Sequence, residues 1–260
     1  MIRSKVRFNL ESKRQLLLIG IVLALFFAIF FIQPIPQDQD YHQFADQNAL
    51  FFIPNFWNVI SNLPFVVVGI IGLVAILKQK LHGSLVELSS NYSIFFIGLI
   101  FTGFGSSYYH WNPNNASLVW DRLPMTISFM AFFTAIIGEN ISIKLAKRSL
   151  YPLLIIGFLS VIYWFVTESN GTGDLRPYIL VQFLPVIIIP LILWLYSSPF
   201  TGQRYIVAVL IAYVVAKVLE HFDREVFEIL EFMSGHSIKH LAAAVGTYFF
   251  FLALKKRKLR

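Results

Sequence analysis

At 260 residues, with 57% hydrophobic, 17% aromatic and only 13% charged side chains, the chain is too apolar for an ordinary soluble domain and is expected to be an integral membrane protein. Its net charge of +7 does not point to nucleic acid, because the basic residues form short clusters between apolar segments, where they orient a membrane protein. There is no cysteine, which excludes disulfides and thiolate ligands and leaves His, Asp, Glu and water as the shell of any transition metal.

Residues 1–14 form a basic tail, and 15–33 is an apolar run long enough to cross a hydrocarbon core, which takes about 20 helical residues. A cleaved signal peptide is the competing reading, but the run is long for one and no A-x-A-like site follows it. The next stretch, 34–55, is an acidic loop without Lys or Arg, PIPQDQDYHQFADQNALFFIPN. Further spans are expected at 56–77, which opens with NFWNVISNLPF, at 92–110, and at 117–138 with Pro124 as a kink. Four more follow at 150–166, 177–196, 205–220 and 236–254. The expectation is an all-α membrane protein of eight spans in a single helical domain, 15–260, since no repeat or linker divides it.

Eight alternating crossings put both termini on one side, together with sixteen of the 21 basic residues, from Arg3, Lys5 and Arg7 to Arg257 and Arg260. The positive-inside rule makes that side cytoplasmic. The same alternation carries His110, at the end of the third span, Asp121, at the start of the fourth, and His236 and His240, at the start of the eighth, to the opposite, outward face. Ser106 and His110 stand four apart on one helix face, and WNPNN then supplies turn chemistry that returns Asp121 beside His110. His236 and His240 repeat the four-residue spacing, so two imidazoles point to one place.

Three histidines at one depth suit a metal with an open position. Zinc fits best, though iron, nickel and manganese accept the same residue types. Asp121 is then a general base or a fourth ligand, against the alternative of a helix N-terminal carboxylate stabilised by the dipole and paired with Arg122. Ser106 is either a donor to an oxyanion or a serine bonded to its own helix. Taken singly, His42 and His221 are packing residues and His82 a loop residue.

NFWNVISN, then FGSSYYH, then DRLPM with its Asp eleven residues after that histidine, and the late HSIKH, in this order along the chain, resemble the alkaline ceramidases of the CREST superfamily over about 55–254. The resemblance implies a seven-helix zinc amidase core that hydrolyses the N-acyl bond of a membrane lipid, a ceramide, to a fatty acid and a sphingoid base. It also implies zinc on His110, His236 and His240, water handled by Asp121, and an oxyanion steadied by Ser106. The first span is then an addition to the core. Eukaryotic members often carry a glutamate before FWN as part of a calcium site; here Asn55 stands there, and Asp40, Asp46 and Asn55 are the candidate calcium ligands, unless the two acids only solvate the loop. The rival function is a receptor-type or lipid-binding protein whose metal staples helices. Transport is disfavoured because the polar residues gather at one face.

Overall fold

The computed structural model describes the backbone of residues 2–260 and the side chains of residues 12–260. The side chains of Arg3, Lys5 and Arg7 therefore lie outside the described residues. The chain is all-helical: α1 (Ile2–Phe30), α2 (Phe56–Ile60), α3 (Leu63–Leu77), α4 (Ser89–Trp111), α5 (Asn115–Asn140), α6 (Ile143–Ser169), α7 (Arg176–Leu195), α8 (Arg204–His221), α9 (Asp223–Leu230) and α10 (Gly235–Lys256). Helices α4 and α6 start earlier than their apolar runs, because backbone hydrogen bonding continues beyond the part that hydropathy marks; Lys144, Lys147 and Arg148 are inside α6 rather than in a loop. Helices α2 and α3 form one span broken at Ser61–Asn62, where Pro64 has no N–H to offer the Ile60 carbonyl.

Among the described residues seven helices, with α2 and α3 counted together, are long and apolar enough to cross a membrane. The eighth crossing expected from the sequence is α8, which qualifies only together with α9, from which it is bent by 79°; Arg204, Lys217 and Glu220 dilute its apolar run. It nevertheless runs the depth of the bundle antiparallel to α10. At one end Thr201 N bonds the Lys258 carbonyl (2.8 Å), and at the other Lys239 meets Glu220. α1 lies at the periphery against α7, with Leu18 its buried residue among those described.

The α4–α5 hairpin sets the depth of the site. Asn114 caps α5, accepting from Ala116 N (2.9 Å) and Ser117 N (3.0 Å), while Ser117 Oγ accepts from Asn114 N (3.1 Å). Further along, a Cβ on Gly105 would stand 2.0 Å from the Trp120 carbonyl oxygen, so the two backbones touch beside Ser106 and Asp121. Gly105→Ala is expected to push these helices apart, to destabilise the protein by about 1–3 kcal/mol and to lower the thermal midpoint of the purified protein by several degrees. An unchanged midpoint would show that the contact is not tight.

At the opposite end of the bundle Arg257 belongs to the interior rather than to the basic surface suggested by the sequence. Only 2% exposed, it donates from Nη2 to Glu139 Oε1 (2.7 Å) and from Nη1 to Oε2 (2.9 Å), with Tyr92 donating to the same carboxylate (2.8 Å). The α5 and α10 C-termini meet here, so the charge of Arg257 is neutralised within the fold.

Candidate metal centre

His110 closes α4, and His236 and His240 occupy the first turns of α10, whose start is pressed against the end of α8: a Cβ on Gly235 would lie 2.3 Å from the Leu219 carbonyl oxygen. The three imidazoles are buried, each offers a nitrogen within 4.8 Å of the others, and their ring centroids are 4.9, 4.9 and 5.2 Å apart. Both nitrogens of His110 and Nε2 of His236 are buried without a hydrogen-bond partner. Each such orphan costs about 1–3 kcal/mol, and one nitrogen of His110 with Nε2 of His236, close to His240, fit a metal ion that would satisfy one atom of each ring.

The surroundings orient the rings. His240 Nδ1 bonds Ser61 Oγ (2.8 Å), whose hydroxyl donates to the Asn58 carbonyl (3.3 Å), leaving Nε2 of His240 for the metal. Asn58 accepts from Ser237 Oγ (2.7 Å) and donates to the Asp46 carbonyl (2.9 Å), tying α2 and the preceding loop to α10. Asp223 clamps the same junction, accepting from His236 N (2.6 Å) and Ala45 N (2.9 Å). Phe44 covers the group, its ring centroid 4.7 Å from both His110 and His236. Ser61 and Asn58 were visible in the sequence as polar residues opening an apolar helix, but nothing assigned them to His240 and Ser237. Asp223 gave no signal.

Ser106 and Asp121 are buried and, with His240, line the polar end of a cavity of about 440 Å³. Ser106 lies within interaction range of the Asp121 carboxylate. Deeper walls include Phe95 and Phe132, each eleven residues from Ser106 or Asp121 along its helix, so the apolar part extends about 16 Å at 1.5 Å per residue. Near the polar end Lys217 and Lys239 both pair with Glu220, which also accepts from Tyr41 O–H (3.2 Å). Burial, and then the Glu220 charge, push the Tyr41 hydroxyl well above its ordinary 10.0, so it remains a neutral donor. Arg122 makes no ion pair with Asp121: the two are neighbours in sequence but not salt-bridged.

The candidate calcium ligands occupy three different surroundings. Asp40 is exposed in the short 3₁₀ turn Gln39–His42. Asp46 is fully buried, one oxygen accepting from Asn48 N (3.0 Å) and the other without a partner, and burial raises its carboxyl from the usual 3.8. Asn55, in a left-handed conformation (φ 46°), donates its amide to the His110 carbonyl (2.8 Å). His42 is held by Tyr109 O–H and Asn115 Oδ1, both at 2.9 Å.

A bundle of helices long and apolar enough to cross a membrane, with a buried histidine triad that could hold a metal ion and whose His240 lines a largely apolar cavity, defines the class of a multi-pass membrane protein with an internal polar site. The Ceramidase family model matches residues 44–259, and the chain belongs to that family. Membership implies an amide hydrolase with a ceramide lipid as substrate. No curated protein matches the chain.

Proposed function

We propose that the protein is a zinc-dependent amidase that hydrolyses the N-acyl bond of a ceramide-like lipid, releasing a fatty acid and a sphingoid base. The observation that supports this reading is that His240, one of the three clustered histidines, lines the lipid-sized cavity together with Ser106 and Asp121. Zinc on His110, His236 and His240 would supply a Lewis acid that polarises the amide carbonyl and lowers the pKa of the attacking water towards about 7. Asp121 takes the proton of that water and carries it towards the leaving amine. Ser106 turns its O–H from Asp121 to the developing oxyanion. The apolar walls hold the acyl chain, so chain positioning is separated from proton transfer. Digestion of a lipid extract by purified protein, with products identified by mass, should yield paired fatty acid and sphingoid base; metal retained without release of either product would favour a binding protein.

In this reading the domain runs over 15–260, with a first span at 15–33, the apolar part of α1 and the residues just after it, added to a hydrolase core of about 55–254, and residues 1–14, which hold the basic start of α1, as a cytoplasmic tail. Both termini face the cytoplasm and the metal centre the opposite side, which the basic bias of one face supports. Alkaline phosphatase fused after Gln47 should be active and after Leu259 inactive; the reverse pattern would invert the topology.

A further inference from the structure

Three cations line the cavity, Arg122, Lys217 and Lys239, and only Arg122 lacks a carboxylate among the described residues. Of the lining acids, Glu220 serves both lysines, Asp38 caps its own turn through Asp40 N (3.0 Å), and Asp121, which lies by Ser106, acts on Arg122 only through space, without an ion pair. Arg122 is 6% exposed, donates one hydrogen bond from Nη2 to Gln37 Oε1 (2.6 Å), and has no partner for Nη1. Its guanidinium is caged by rings, 4.1 Å from the centroid of Trp164 and 4.8 Å from that of Tyr178. Aromatic faces ease the burial of a cation but do not neutralise it, and a buried charge without a directly paired counter-ion is costly. Ionisable side chains at membrane depth that face a cavity mark ligand sites, and the guanidinium fork matches carboxylate and phosphate oxygens.

We propose that Arg122 binds an oxyanion carried by the lipid in this cavity, so that an acidic amphiphile is held beside Asp121 and the histidine triad. The inference rests on the lipid-amidase reading for its ligand class. Two sources present the same chemistry: a phosphate or carboxylate on the substrate headgroup, and the carboxylate of the released fatty acid.

The test begins with binding, which needs no turnover. Purified protein is titrated with hexadecyl phosphate, palmitate and hexadecanol, which share a chain length and differ in charge. Wild type should bind at least one of the two anions about tenfold or more tighter than hexadecanol, and Arg122→Gln should remove most of that difference while leaving hexadecanol affinity unchanged. Arg122→Lys should retain part of it, since charge survives while the fork is lost. No preference in wild type, or equal weakening of all three ligands in Arg122→Gln, would overturn the proposal and make Arg122 a staple between α5, α6 and α7. Hydrolysis assigns the source. Faster cleavage of an N-palmitoyl sphingoid bearing a headgroup phosphate, abolished in Arg122→Gln, assigns the headgroup; equal cleavage of the two forms, with palmitate inhibition lost in the variant, assigns the product. Anion selectivity that depends on Arg122 in a protein cleaving no N-acyl lipid would remove the amidase reading and leave the anion site standing.

Discussion

Asp121→Asn is expected to lower kcat by about 10²–10⁴-fold, a barrier increase of about 3–5 kcal/mol, while the metal stays bound. The substitution keeps size and much of the hydrogen-bonding capacity but removes the oxygen that, in the proposed mechanism, would take a proton from the attacking water. Asp121 lines the cavity at its polar end, while apolar residues such as Phe95 and Phe132 form its deeper walls. Lipid affinity should therefore follow the walls rather than the carboxylate, and KM should change far less than kcat. Loss of metal together with activity would recast Asp121 as a ligand, and near-normal turnover with metal in place would remove it from the mechanism.

His240→Ala is expected to reduce metal from near one per chain to a small fraction and to abolish hydrolysis. Three nitrogens hold the candidate site, and among the described residues no further histidine or acid joins the group. The variant also leaves Ser61 without its imidazole partner, so the orienting bond to α2 is lost with the ligand. Elemental analysis of protein purified without chelator decides the point: full metal content in the variant would show that the triad is not the site. The two substitutions give opposite signatures, activity lost with metal kept for Asp121 and both lost for His240.

Much of this was legible in the chain because hydropathy and helix periodicity are local. Apolar runs locate the helices that fit a membrane, Asn114 and its neighbours announce the turn between α4 and α5, and alternating crossings bring His110 to the same end as His236 and His240. The four-residue spacing in HSIKH then places two imidazoles on one face without reference to any other part of the fold. Counting crossings is insensitive to how each helix is rotated, which is why it brings the three histidines to one end although α8 qualifies as a span only together with α9.

Rotation about the helix axis is what hydropathy leaves open, and the features missed all depend on it. Ser61 meets His240 across 179 residues and Arg257 meets Glu139 across 118, pairings set by which face each helix presents to its neighbours. Asp223 joins the loop at Ala45 to the start of α10 only because α8 bends sharply into α9. Arg122, beside Asp121 in sequence, would be a natural partner for it; successive residues on a helix point about 100° apart, so one lies by Ser106 and the other enters an aromatic cage. The residue types and their depths in the bundle follow from sequence alone. Their partners, and the cavity between them, are decided by side-chain packing among helices distant in the chain.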